Sequence, residues 1–318
     1  MRVGITGFVE TGFMFSGEWL IGCPVPFEEG WRGRERLLRM LIPTLGECLA
    51  AKGGVPDSEI TLLVCVAEPE RRGRLEGLDG SLVPEVEERL GVQFHPASGV
   101  IPRGRVGGAE ALDHARQAIA SGRRLCIIAG VDNLLIGPTL THFESRRRLL
   151  TVANSDGFIP GEAAAAVLVG PPLDLHEGTG ELRCLGLGFG TERATVDSTE
   201  PLRGNGLAES FRGALADAGI DWSKLDYQIS SVNGEQYGFK EAALASARTI
   251  RPVKHGFDLW HPSDCLGEVG AAIVPCMLGV ALAAARKGYA PGPGVLCHVG
   301  NDDGRRAAIV LRYEKVFS

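Results

Sequence analysis

One succession of apolar patterns occurs twice in this 318-residue chain, and that repetition limits the folds open to it more than any other feature. In the first half, Leu37, Leu38, Leu41, Leu45, Cys48 and Leu49 recur at helical spacing within 34–51, and the stripe stops at Gly53-Gly54. A buried strand is predicted at 60–66, then a helix at 109–120, a strand at 125–129 closed by Gly130, and a strand at 164–169. The second half repeats this order. A strand at 182–188 precedes a helix carrying Leu207, Phe211, Leu215 and Ala218, followed by a strand at 227–232, a helix at 271–285 and strands at 294–299 and 307–312. The two first helices even end alike, Leu215-Ala216-Asp217-Ala218-Gly219-Ile220 echoing Leu49-Ala50-Ala51-Lys52-Gly53-Gly54. Alternating strands and helices predict an α/β fold. A repeat of about 150 residues is far longer than a solenoid unit, so the pattern describes a duplicated domain. The halves are predicted as 1–172 and 173–318, each with a mixed five-stranded sheet, and the chain is predicted to begin directly as a strand over 1–7.

Composition narrows the partners. The formal net charge is −6, which disfavours nucleic acid and anionic membrane as partners, because both need a basic face. The run Arg146-Arg147-Arg148 is short and reads as a solvated turn. Eight cysteines are scattered without a CxxC pair, so neither a metal site nor a disulfide framework is expected, and reduced cytoplasmic thiols fit the pattern. No signal peptide and no membrane span is predicted, and the most apolar long segment, 269–285, reads as a buried helix. The absence of GxGxxG and GxxxxGK[ST] runs removes the usual phosphate loops, and no cofactor is expected.

Three segments carry a family resemblance. Asn154-Ser155-Asp156-Gly157-Phe158-Ile159-Pro160-Gly161-Glu162-Ala163-Ala164 is similar to the DGFxxGEGA signature of β-ketoacyl-acyl-carrier-protein synthases. Ile127-Ile128-Ala129-Gly130-Val131-Asp132-Asn133 resembles a strand end of the same family, and Gly267-Glu268-Val269-Gly270-Ala271-Ala272 resembles its second-histidine segment. With the duplicated halves, the likeness covers essentially the whole chain. It implies a thiolase-like five-layer αβαβα fold built from two duplicated halves, a homodimer associating through an edge strand near Cys126, and work on acyl chains carried by acyl carrier proteins. The N-terminal half is short for the family, since residues 7–33 hold little of the usual insertions.

The family's chemistry needs a cysteine at a helix N-terminus, two imidazoles (or a His and an Asn) for an enolate, and backbone amides for an oxyanion. The resemblance places Arg105 at the cysteine position, Asn233 at the first histidine, Glu235 at the following threonine, Glu268 at the second histidine and Ser263 at a lysine. The glycine-rich oxyanion loop is replaced by Gly300-Asn301-Asp302-Asp303-Gly304-Arg305, whose acids would repel a developing oxyanion. No catalytic residue is therefore assigned. Arg105 and Glu268 are predicted to lie within ion-pair reach, about 4–6 Å. Arg105, Asn233, Glu235, Glu268, Asn301 and Asp302 are the candidate ligand-binding residues, while Asp156 and Glu162 are expected to brace loops. Two functions stay open. The first is a non-condensing pseudoenzyme or accessory subunit that binds an acyl carrier protein, an acyl ligand or another protein. The second is an acyltransferase or thioester hydrolase with rearranged residues such as Cys265, His261 or Glu268.

Overall fold

The computed structural model describes residues 5–15, 17–173, 180–251, 254 and 256–315. The chain divides into two compact units. The first holds Met1–Pro171 together with Asn233–Glu235 and Ser263–Cys276, and the second holds Pro172–Val232, Gln236–Pro262 and Met277–Ser318.

In the first unit the elements run β1 (Val9–Phe15), β2 (Glu18–Gly22), α1 (Gly33–Ala50), β3 (Ile60–Val66), α2 (Leu78–Leu90), β4 (Gly99–Pro102), α3 (Gly107–Ala120), β5 (Leu125–Asn133), α4 (Gly137–Ser145) and β6 (Glu162–Val169). The main sheet has the order β4-β3-β5-β6, with β3 parallel to both neighbours and β6 antiparallel to β5. All seven residues of β3 are buried, as expected of a strand covered on both faces. Its alternate residues Ile60, Leu62, Val64 and Val66 pack with Leu37, Leu41 and Leu45 of α1 and Leu82 and Val86 of α2. Full burial of such side chains contributes about 1.5–3 kcal/mol each. On β5, Gly130 has no room for a side chain, because a methyl there would collide with the Ala271 carbonyl. That close approach seats the Gly267–Ala272 turn against the sheet.

The second unit contains β7 (Gly180–Thr191), α5 (Asn205–Ala218), β8 (Tyr227–Ser230), α6 (Gln236–Thr249) and β9 (Leu259–Trp260). After the four-residue α7 (Ser263–Leu266) of the first unit come α8 (Ile273–Arg286), β10 (Gly294–Gly300) and β11 (Arg305–Lys315). The sheet order is β7-β11-β10-β8-β9, with β8 parallel to β9 and β10, and β11 antiparallel to β10 and β7. Gly186, Gly188 and Gly190 share one face of β7. A methyl on any of them would strike the backbone carbonyl of Ala214, Ser210 or Gly206, so α5 lies directly on the strand. No helix among the described residues is long and apolar enough to cross a membrane.

Three expectations need correction. Residues 5–8 form no strand, and residues 1–4 lie outside those described. The leading segment instead folds on itself as the β1–β2 hairpin, with Met14 opposite Trp19 and Glu10 opposite Ile21. The first main sheet consequently shows four strands, not five, among the described residues, whereas β7 fills the fifth place beside β11 in the second. Phe13, Phe15 and Leu20 of the hairpin pack on Leu134, Leu140, Phe143, Leu149 and Phe158. Its other face leaves Met14 and Trp19 each 51% exposed. Second, Cys126 lies on no edge, because β5 is paired on both sides, with Thr61 and with Val169. Third, Arg148 is no solvated turn residue. It is buried, and its guanidinium meets Glu235 in two bonds of 2.7 Å while standing over the Phe143 and Phe158 rings. Arg147 takes the left-handed conformation at φ 54°, which frees the next side chain to turn inward.

His298, on β10, is 2% exposed and packs edge-on against Phe211, with Ser230 Oγ 3.3 Å from Nδ1. Burial drives its pKa down to about 3. The folded state thus refuses a proton that the unfolded chain accepts below about pH 6.5, so stability falls as pH drops from about 6.5 toward 3. In urea unfolding followed across that range, His298→Leu should flatten the slope of stability against pH by about 1.4 kcal/mol per pH unit. An unchanged slope would show that His298 is not the group responsible.

Candidate functional site

The turn Gly267–Ala272 carries a buried carboxylate, Glu268, that gathers three donors. Gly267 and Gly270 take φ of 68° and 52°, conformations that favour glycine, and fold the segment tightly between α7 and α8. Glu268 is tied by its backbone to the β6 approach, donating N–H to Ile159 O at 2.8 Å and accepting from Gly161 N at 2.9 Å. Its carboxylate is 5% exposed and accepts from three donors. Oε2 accepts from Arg105 Nη1 at 2.9 Å and from Asn233 Nδ2 at 2.8 Å, and Oε1 accepts from Gly270 N at 2.9 Å. The ion pair expected between Arg105 and Glu268 is thus present. Arg105 sits in the short 3-10 turn Gly104–Val106 that leads directly into α3, with its side chain 15% exposed. Gly104, at φ 55°, makes that turn possible.

A second carboxylate braces the same turn from the sheet. Asp132, at the end of β5, accepts from Arg71 Nη1 at 2.7 Å and from Ala271 N at 2.8 Å through Oδ2, and from Asn133 N at 2.9 Å through Oδ1. Arg71 also pairs with Glu68 at 2.8 Å. Burial pushes the Glu68 carboxyl up, but the fields of Arg71 and Arg105 outweigh it and hold the group below its ordinary value. Three carboxylates therefore face two guanidinium groups around one backbone turn. Arg71, Glu68 and Asp132 escaped the sequence reading. Asp132 lay inside a recognised segment without a role, and Arg71 stood in the charged stretch Glu68-Pro69-Glu70-Arg71-Arg72, which looks like ordinary surface.

The other candidates fall elsewhere. Glu235 does not join the Arg105 group, because both its oxygens are committed to Arg148. Asn301 and Asp302 belong to the second unit, on the turn between β10 and β11. There Asn301 N donates to Arg305 O at 2.9 Å, and Asn301 O accepts from Arg306 Nη1 at 2.7 Å. Arg306 in turn pairs with buried Glu241 at 2.8 Å. Glu162 braces a loop, accepting from Val25 N at 2.8 Å and from Arg36 Nε at 2.7 Å, while Asp156 is exposed. Cys265 lies within α7, and its carbonyl accepts from Gly7 N at 3.3 Å.

A nucleophilic thiol needs an environment that lowers its pKa. Burial instead raises the thiols of Cys23, Cys65, Cys126 and Cys297, and takes Cys48 to about 11 and Cys276 to about 12. At the start of α3, where a helix dipole could activate a thiolate, the chain presents the Arg105 cation instead. No group of three His, Cys, Asp or Glu among the described residues could hold a metal ion.

Comparison with known proteins agrees with the fold. The sequence pattern of the β-ketoacyl synthase N-terminal domain matches residues 107–173, from the start of α3 to beyond β6. A Streptomyces coelicolor protein that carries the name actinorhodin polyketide β-ketoacyl synthase 2 is 27% identical over 218 residues. That match takes in 63% of this chain and 51% of the other, so the chain spans about half the length of this curated relative. A ketosynthase (ApeO) in complex with its chain length factor (ApeC), from Xenorhabdus doucetiae, superposes with TM-score 0.68 at 14% identity, covering 97% of this chain and 90% of that one. A type II polyketide ketosynthase solved with its acyl-carrier protein and a bound hexaketide (AntDE:AntF) gives TM-score 0.70 at 15% identity, covering 90% and 86%. At such identities the likeness shows the shared thiolase-like architecture.

Replacing Glu268 by glutamine tests the site's energetics. The amide would still accept from Gly270 N, but its own N–H groups would face the Arg105 and Asn233 donors. Breaking a buried pair from one side typically costs about 3–5 kcal/mol, and the partial exposure of Arg105 lowers the expectation to roughly 2–3 kcal/mol. Arg105→Met in the Glu268→Gln background should recover part of that loss, with a coupling of about 1–3 kcal/mol in the double-mutant cycle. Additive effects would mean that the pair is energetically idle.

Proposed function

We propose that the chain is a member of the thiolase-like β-ketoacyl synthases and, within that family, a non-condensing accessory subunit in the cytoplasm, pairing with a ketosynthase-type partner that supplies the chemistry. The observation that carries this reading is the Arg105–Glu268–Asn233 cluster. Decarboxylative condensation needs a thiolate to hold the acyl chain, and neutral donors to stabilise an enolate. On this reading a guanidinium takes the thiol's place, and a carboxylate that already accepts from three donors takes the second histidine's. A negative group at that point repels an enolate.

Two surface features support a protein partner. Strand β4, which leads straight into the Arg105 turn, pairs on one side only, with β3, so its other edge is open to a further strand among the described residues. The β1–β2 hairpin exposes Met14, Trp19 and Ile21 on one face, and aromatic and methionine side chains in such exposure mark interaction surfaces. The solved likeness of a ketosynthase held by its chain length factor suggests the kind of partner, and that of a ketosynthase held by an acyl-carrier protein suggests who visits the assembly. The alternative of an acyltransferase or thioester hydrolase would draw on Cys265, His261 or Glu268, with Cys265 the one candidate able to carry an acyl group as a thioester.

Incubation with acetyl and malonyl thioesters of coenzyme A and of an acyl carrier protein, followed by intact-mass measurement, should leave the mass unchanged. An acyl adduct that vanishes in Cys265→Ala would replace this reading with the acyltransferase. Light scattering after size exclusion should give a one-to-one complex with a type II polyketide ketosynthase, weakened by Met14→Ser with Trp19→Ser. A self-dimer that never exchanges with the ketosynthase would sink the accessory role.

A further inference from the structure

The second unit has a groove of about 460 Å³ between the C-terminal half of α5, the turn Trp222–Lys224 and the end of α6. It lies where the chain enters β8, the opposite end of the sheet from the Asn301 turn, since β8 and β10 run parallel and Asn301 follows the end of β10. It is therefore separate from every position so far considered for acyl chemistry in this unit. Its size suits a small ligand.

Three arginines of separate stretches converge on it: Arg212 from α5, Arg248 from the last turn of α6, and Arg251 beyond that helix. The chain holds 39 acidic residues against 33 Lys and Arg, so carboxylates are in surplus. Even so, Arg212 and Arg251 make no ion pair or hydrogen bond among the described residues, and Arg248 bonds only to the neutral Asn205 amide, at 2.9 Å. A cation in the last turn of α6 complements that helix's own dipole, which accounts for Arg248. It does not account for Arg212, in the middle of another helix, and like charges gathered around one hollow repel each other unless an anion joins them. The carboxylate that lines the groove, Asp221, is held below its ordinary pKa chiefly by hydrogen bonds from Ser223, whose N–H donates at 2.7 Å, with a smaller contribution from the Lys224 and Lys254 charges. The inner wall is apolar, formed by Leu215, Ile220 and Trp222. Trp222 is itself fixed edge-on by Phe211 and Phe257.

We infer that this groove binds a small organic phosphate, the phosphate held by the Arg212, Arg248 and Arg251 guanidinium groups and the ligand's apolar or aromatic body laid on Leu215, Ile220 and Trp222. Guanidinium forks match phosphate oxygens in paired, charge-assisted hydrogen bonds, which an ammonium cannot reproduce. The apolar wall distinguishes an organic phosphate from the inorganic ion. No covalent step is involved.

Calorimetric titration of the full chain with adenosine 3′,5′-bisphosphate, with inorganic phosphate and with adenosine separates the contributions. The bisphosphate should bind most tightly, inorganic phosphate more weakly at the same site, and adenosine least. Arg212→Gln with Arg251→Gln should weaken the bisphosphate by roughly tenfold or more, the equivalent of one or two lost charge-assisted bonds. The melting temperature should hold, because both side chains are exposed and unpaired. Arg251→Gln alone, with a smaller loss, guards against a folding defect in the double variant. Absence of heat with both phosphates, equal binding of adenosine, or unaltered affinity in the double variant would each overturn the assignment.

Discussion

Glu268 ties several parts of the first unit to one buried turn. Through backbone and side chain it links the approach to β6, the turn before α3, the loop at Asn233 and its own Gly270 N–H. A buried carboxylate is tolerated only when its lone pairs are met, because desolvation opposes each charge removed from water. Glu268 satisfies that condition with one cation and two neutral donors. The turn it closes then lies against β5 so tightly that Gly130 can carry no side chain. Position and charge are thus settled together. The same acid that neutralises Arg105 holds the backbone from which α8 begins.

That economy bears on function. A thiolase-type centre works by keeping a few groups unsatisfied until substrate arrives: a thiolate without a proton, amides without an acceptor, imidazoles free to donate. In this chain the buried charges beside α3 already satisfy one another. Arg105, Glu268 and Asn233 form one closed set, and Arg71, Asp132 and Glu68 form another beside it. Such pairing holds the turn and the end of β5 in one arrangement. The first unit presents its open features instead at its margins, along the free edge of β4 and on the outer face of the hairpin.

The sequence made some of this visible and concealed the rest for identifiable reasons. Strands β3 and β5 and helices α1 and α5 were legible because their apolar spacing answers directly to burial. The Arg105–Glu268 contact was legible because a motif located both ends, though they lie 163 residues apart. The β1–β2 hairpin was not, since Glu10-Thr11-Gly12 interrupts the alternation that marks a strand, and half of its large side chains face outward. Arg148 was misjudged because three consecutive arginines look solvated, and only the left-handed turn at Arg147 sends the third inward. Partnerships such as Arg71 with Asp132 span 61 residues and leave no local trace.

The glycine row of β7 has a consequence of another kind. Gly186, Gly188 and Gly190 alternate along one face of the strand, and α5 rests on them carbonyl by carbonyl, four residues apart at Ala214, Ser210 and Gly206. Nothing larger than hydrogen fits at three successive steps, so the interface tolerates neither a methyl nor a slip by one residue. A slip would put Leu187 or Phe189 beneath the helix. The row therefore works like the teeth of a key, admitting one alignment of helix on strand. A side chain at any of the three would cost the second unit its register before it could alter a surface.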